Sequence, residues 1–229
     1  YLNAKFFYFL GKHINFRPTH AIRAGSDHFY CDEKKTEVIE GNSYDYSNFL
    51  IKRVADKQIQ RDHILYLETA GPLFHGDNIL VGRKMSEWFT SEIWFPSLNK
   101  FFSDIEAHFK LKIKIAPHPK TNHKSKFPDY YNKREIISTS TAEASNTAKI
   151  IISRDSQGLS FAVLQNIPAI MIYSKELKRN INWKKKQDFF AKQLGIAPIN
   201  IDSNFDIVKI NNFLNKNYEE YKKYKKKYL

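Results

Sequence analysis

The chain has 229 residues, 42% of them hydrophobic, with 37 Lys and Arg against 24 Asp and Glu for a formal net charge of +13. That length and apolar content can fill one large domain or one and a half smaller ones, which excludes a disordered chain. No uncharged apolar run reaches the roughly 18 residues of a membrane-spanning helix, and the single cysteine, Cys31, excludes an internal disulfide and a thiolate metal cluster.

Such cysteine usage fits a reducing cytoplasm. The chain opens at Tyr1 without Met and without a charged segment leading into an apolar one, so a fragment lacking a signal peptide is expected. The basic excess attracts phosphates, acidic polymers or anionic lipid surfaces and does not choose among them.

LNAKFFYFLGKHI near the start is too densely apolar for a surface helix and predicts one packed on both sides. THAIRAG reads as a short strand ended by Gly25 and Ser26, DHFYCDEKK as a charged loop, and TEVIEG as a second strand. SYDYSNFLIKRV predicts an amphipathic turn or two with Asp45 and Ser47 as candidate caps, and the polar ADKQIQRD reads as a linker.

From His63 the pattern becomes a regular alternation of strands and helices. ILYLE is a strand whose exit, TAGPLFHGDN, is too rich in Gly, Pro, Asp and Asn to start a helix at once. Apolar residues at three- and four-residue steps predict a long core helix from about Ser86 to Phe109, with Pro96 as its kink or its start. KIKIA is a strand, REIIS a weak one, and TAEASNTA a short helix capped by Thr139 or Thr141. KIIIS and PAIMIY are buried strands around the helix SQGLSFAVLQ; NWKKKQDFFAKQLG is a helix stopped by Gly195, APINI a strand, and Asp206 onward a terminal helix. Its last stretch, YEEYKKYKKKYL, reads either as a solvated helix end or as a basic and aromatic patch for anionic lipid headgroups. Apolar strands of this kind belong to a sheet covered on both faces, and their alternation with helices predicts a doubly wound parallel α/β sheet, Rossmann-like, with a partial α/β segment before it.

Three of these strands stop at polar clusters, beginning at Pro117, Arg154 and Tyr173, and a doubly wound sheet brings such ends to the carboxyl edge where open sheets bind ligands. His118, stiffened between two prolines and followed by Lys120, is suited to neutralise a departing phosphate or to act as general acid; a plain His-Pro turn is the alternative. His123, Lys124 and Lys126 extend the positive character in a loop where solvation is the default. Arg154, Asp155, Ser156, Gln157 and Gly158 lead into a helix, where free amides and the Ser156 hydroxyl would form an anion site, or where Ser156 or Asp155 would simply cap. Glu143 is either a first-turn helix acid or an acceptor for ribose hydroxyls, and Glu68 with His75 is placed to face the same crevice. The sequence has no Gly-x-Gly-x-x-Gly, P-loop, HExxH or Gly-x-Ser-x-Gly, which disfavours dinucleotide enzymes, NTPases, zinc peptidases and serine hydrolases.

Over Ile64 to Tyr173 the chain resembles bacterial surface-polysaccharide glycosyltransferases of the GT-B type, in ILYLETAGP, IKIAPHPK, EIIS followed by TAEASNTAKIIIS, and SQGLSFAVLQNIPAIMI. A His-Pro followed by a serine at a helix start is similar to the short motifs of bacterial sialyltransferases and Kdo-type transferases that use CMP-activated sugars. There the histidine and serines contact the nucleotide phosphate. Carried over, those positions are His118 and Ser156, while Gln157 stands where the second hydroxyl of the family's pair would be and Arg154 and Asp155 precede it.

The resemblance implies that residues 1–55 are the tail of an acceptor-side domain plus linker and that 56–229 form the C-terminal nucleotide-sugar-binding domain. It implies transfer of a sugar from a nucleotide donor, CMP-linked in the favoured case and UDP- or GDP-linked otherwise, to a surface glycan or lipid-linked acceptor, with no metal or further cofactor required. Peripheral contact with an anionic membrane at the inner face of the bacterial inner membrane belongs to the same expectation, and a nucleic acid partner does not. The reading from another class is a non-enzymatic basic module that holds nucleic acid or an anionic glycan, marked by Lys and Arg gathered on one face with aromatics between them.

Overall fold

The computed structural model describes residues 19–24, 36–52, 59–76, 79, 89–121, 123, 128–206, 210–211, 214 and 218–229. The helix expected near the start, the charged loop with Cys31, residues 53–58, Trp88, Lys124 and Lys126 lie outside them.

Five parallel strands form the main sheet: β3 (His63–Leu67), β4 (Lys112–Ala116), β5 (Ala148–Ser153), β6 (Ala169–Tyr173) and β7 (Ile199–Asn200), in the order β4-β3-β5-β6-β7. The chain enters at β3, steps outward to β4, returns past β3 to β5 and continues the other way, so winding reverses between β3 and β5. Because a strand's side chains alternate, that reversal lets helices cover both faces. Ile64, Tyr66, Ile150 and Ile152 face the helix α2 (Ser91–Phe109) through Trp94, Leu98, Phe102 and Ile105. Leu65, Leu67, Ile151 and Met171 face the opposite way, onto Leu159, Ala162 and Val163 of α4 (Leu159–Leu164), with Leu194 of α6 (Ile181–Leu194) and Tyr221 of α7 (Tyr218–Tyr228) in the same cluster. The molecule is therefore a doubly wound α/β protein, as its strand pattern predicts.

Ahead of this sheet, β1 (His20–Ala24) and β2 (Glu37–Gly41) form a separate parallel pair, with Ile22 opposite Ile39. Two residues later α1 (Tyr44–Lys52) begins, and the hydroxyl of Ser43 accepts from the Tyr46 amide at 3.1 Å. Ser43 is thus the capping side chain, in place of the expected Asp45 or Ser47, because it precedes the first turn and can reach its free amides. Tyr46 and Phe49 pack against a small cluster of Ala142, Phe161 and Leu164, which seats α1 on α3 (Thr141–Asn146) and α4.

Other boundaries differ in detail. Helix α2 begins at Ser91, so Pro96 falls inside it, and Ile93, expected in the core, is 48% exposed. REIIS contributes one parallel bridge, Ile136 to Ile115, and APINI pairs over two residues. Helix α6 ends at Gly195 in the left-handed conformation (φ 64°), as its sequence predicts. Ser174 caps the one-turn helix α5 (Lys175–Lys178) by accepting from the Leu177 amide. No helix among the described residues is long and apolar enough to cross a membrane.

Candidate functional site

The carboxyl edges of β4 and β5, with β3 between them, open into a cleft of about 740 Å³. Its floor is formed where the strands end: Ala116, Pro117 and Pro119 after β4, and Ser156 and Gly158 after β5. One flank is a run of four hydroxyl residues, Ser138, Thr139, Ser140 and Thr141, leading into α3. The opposing contribution comes from α1, whose Tyr44, Asp45, Asn48 and Lys52 line the cleft. Tyr44, Asn48 and Lys52 are four residues apart and share one helix face, while Tyr46 and Phe49 dock the other side on the body.

The loop after β4 is anchored from below by Glu68, the residue that follows β3. Its side chain is 3% exposed and gathers the His118 amide (2.8 Å), the Tyr131 hydroxyl (2.6 Å), the Thr121 hydroxyl and His123 Nε2 (2.9 Å). Burial raises the pKa of Glu68, but the bonds from His123, Thr121 and Tyr131 outweigh it and hold the carboxyl below the usual range. Glu68 therefore turns away from the cleft and serves as the anchor of the His-Pro loop. His123, expected in a solvated loop, is buried against it at 5% side-chain exposure. Within the anchored loop the Lys120 amide donates to His118 Nδ1 at 3.2 Å, so the neutral imidazole carries its proton on Nε2.

At the exit of β5, Arg154 and Asp155 form a buried ion pair (2.9 Å), and Lys186 of α6 reaches the second carboxylate oxygen at 3.3 Å. The Arg154 guanidinium also lies 4.6 Å from the Phe89 ring centroid and donates to the Gly71 carbonyl. Burial of Asp155 works against ionisation, and Arg154 and then Lys186 overcome it, leaving the carboxyl below its usual range. The pair ties the β5 exit to the loop after β3 and to α6.

In the turn itself the Ser156 amide donates to Ser153 Oγ and the Gly158 amide to Ser156 Oγ, each at 3.2 Å. The expected cradle of free amides is thus corrected at these two positions, because the turn closes on its own hydroxyls; Ser156 and Gly158 remain as lining residues. A Cβ added at Gly158 would lie 3.1 Å from Leu67 Cδ1 and 3.4 Å from Ser156 Oγ, so the absent side chain leaves room between Ser156 and Thr141.

Helix α3 is capped by Ser140, not by Thr139 or Thr141. Its hydroxyl accepts from the Glu143 amide while the Glu143 carboxylate accepts from the Ser140 amide. The Ser140-x-x-Glu143 spacing is the sequence signal that singles it out. Lys52 Nζ lies 2.9 Å from Glu143 and the Asn146 amide donates to the Lys52 carbonyl, so α1 is latched to α3 beside the cleft. The Lys52 bond first, then those from Ser140, lower the Glu143 pKa to about 2.

Of the residues expected to bind, Ser156 and Gly158 line the cleft, and His118 lies between two prolines that do. Lys120 and Gln157 are exposed on the flanking loops. Arg154, Asp155, Glu143 and Glu68 hold the loops that shape it, and His75 is half-buried, its pKa lowered by burial and then by Arg154. The four residues of α1, the Ser138–Thr141 run, Thr121 and His123 also line the cleft and are the part missed; the signal on α1 is a polar stripe opposite the Tyr46 and Phe49 pair. Among the described residues no group of three or more His, Cys, Asp and Glu is placed to hold a metal ion.

Neither a scan of protein-family models nor a comparison with curated proteins gives a match. Among solved structures the chain is similar to MurG of Acinetobacter baumannii, at 14% identity and a TM-score of 0.36. The alignment covers 90% of this chain and 55% of the length of that one. Similarity at that distance carries no argument about activity; the fold and the cleft stand on their own geometry.

Proposed function

We propose that the cleft binds the nucleotide part of an activated sugar and that the chain is the donor-binding side of a glycosyltransferase acting on a surface glycan or lipid-linked acceptor. The observation that supports this is the position of a large hydroxyl-lined cleft where the winding of the sheet reverses, the place where doubly wound sheets take nucleotides. Ser156, Ser138, Thr139 and Thr141 offer hydroxyl donors to phosphate and ribose oxygens, with Lys52 as a cation in the wall. His118, held on its anchored loop, donates from Nε2 to the phosphate, and Lys120 adds positive charge.

In the transfer the bond between the sugar's anomeric carbon and the phosphate oxygen breaks and the acceptor hydroxyl oxygen bonds to that carbon. The electron pair leaves with the nucleotide phosphate, where His118, Lys120 and Ser156 lower the barrier by matching the charge that develops. The acceptor's proton passes to a base, and Asp45, the carboxylate among the lining residues, is the group in place to take it. A CMP-linked acidic sugar is the favoured donor, on the His118 and Ser156 pattern, ahead of UDP- and GDP-sugars.

Calorimetric titration of CMP, UDP and GDP into the chain tests this. One nucleotide is expected to bind, with Ser156→Ala and His118→Ala each weakening it about tenfold, the cost of one charge-assisted hydrogen bond. Absence of nucleotide binding, together with salt-sensitive binding of an anionic polymer indifferent to both substitutions, would overturn it.

A further inference from the structure

Helix α6 carries a second surface that the cleft does not use. It buries Trp183, Gln187, Ala191 and Leu194, and the opposite side is a single stripe of Ile181, Lys185, Phe189 and Lys192 at steps of four, four and three. Ile181 is 68% exposed and Phe189 48%, and both lysines are exposed. Asp188, the acid beside the stripe, is paired with Lys184 at 3.1 Å, so the positive sign of the stripe stands.

Helix α7 packs against α6 and extends the same surface. The Tyr228 ring lies 6.4 Å from that of Phe189, and Lys227 Nζ lies 4.9 Å from the Tyr228 centroid. Tyr221, inward on α7, is 2% exposed and donates to the Ile167 carbonyl at 3.1 Å, so this helix is fixed on the body. On its outward face Lys222 pairs with Glu219 and Lys223 with Glu220, each at 2.7 Å, and the five lysines of α7 against its two glutamates leave this end of the molecule net positive.

We propose that the α6–α7 face docks on a membrane surface bearing anionic lipid headgroups. Cations and bulky apolar side chains interleaved on fixed helices match the two rewards such a surface offers: lipid phosphates for the ammonium groups, and the acyl boundary for side chains that water leaves exposed. A nucleic acid would use the lysines and could stack on Phe189, but it offers nothing to Ile181, the most exposed apolar residue of the stripe. The proposal does not depend on the activity assigned to the cleft.

Cosedimentation of the full chain with vesicles of phosphatidylcholine alone, and of phosphatidylcholine mixed with phosphatidylglycerol, provides the test. Binding is expected to the mixed vesicles only and to fall with salt. Lys185→Gln with Lys192→Gln should weaken it about fivefold per lysine, and Ile181→Ser with Phe189→Ser about tenfold, with the circular dichroism of the folded chain retained in both pairs because none of the four side chains is buried. Equal binding to neutral vesicles, no binding to either, or binding indifferent to both pairs overturns the proposal. So does capture of a single-stranded oligonucleotide that depends on the lysine pair and not on Ile181 while vesicles stay unbound.

Discussion

Asp155 opens the turn after β5, and Asp45 of α1 lines the cleft and accepts from Ser160 just beyond that turn; their environments assign them different work. Asp155 is 8% exposed on its side chain and answers Arg154 and Lys186, so Asp155→Asn leaves a buried guanidinium without its counter-charge. Urea unfolding should show a loss of about 3 kcal/mol. The sign of its pH dependence follows from the lowered pKa: the contribution is present above the ordinary carboxylate range and is lost as pH falls through the lower value of the folded state. The wild-type unfolding midpoint should therefore fall on acidification more steeply than that of Asp155→Asn. Asp45 lines the cleft, and its bond from the Ser160 hydroxyl can be made equally by an amide oxygen. Asp45→Asn should thus keep nucleotide affinity within about twofold while turnover falls about a hundredfold, the loss expected of a missing general base; a parallel loss of both quantities would assign Asp45 to binding instead.

Helix α3 and its latch to α1 show how an element of six residues can control the shape of a cleft. Ser140→Ala removes one half of the reciprocal cap and should cost about 1 kcal/mol in thermal unfolding. Glu143 loses its guide as well, so the acid sensitivity of the α1–α3 contact, which spans the interval from the ordinary 4.5 down to about 2, should flatten in this variant. The contribution is present above the upper value and disappears toward the lower, and it should be read from the pH dependence of tryptophan-free spectroscopic probes placed on α1. These two elements also mark the boundary of what sequence makes legible. Strands β3, β5 and β6 are readable because their runs of three to five consecutive apolar residues, at 64–67, 150–152 and 169–173, suit burial on both faces of a parallel sheet, and Gly195 because a helix end there needs a left-handed residue. The hydroxyl run Ser138–Thr141 offers four chemically similar caps, and choosing among them needs the partner three residues on. That α1 forms a wall of the cleft was not readable at all, since the contact of Tyr46 and Phe49 with Phe161 joins residues more than a hundred positions apart. Glu68 reads as a ligand group and His123 as a solvated one for the same reason: an exposed and a buried side chain are identical letters until the chain has folded around them.

On the scale of the whole molecule, the sheet gives the cleft a rigid floor while its walls come from loops and from α1, so specificity and architecture rest on different residues. The floor tolerates little change, because its inner strands β3, β5 and β6 are packed on both faces; the walls are where substrate preference can vary. The anchor under the His-Pro loop joins these two parts. Glu68 reaches partners 50, 53, 55 and 63 positions further along the chain. A single side chain with such distant partners cannot complete its bonds until β3, β4 and the turn at Tyr131 have all come together, which places it late in assembly. Replacement of Glu68 by Gln, which turns an acceptor toward donors with an amide, should lower stability by about 2–4 kcal/mol. In a chevron measurement nearly all of that loss should appear as faster unfolding with the refolding limb little changed. The residue beneath the candidate site would then set the lifetime of the folded state more than the speed with which it is reached.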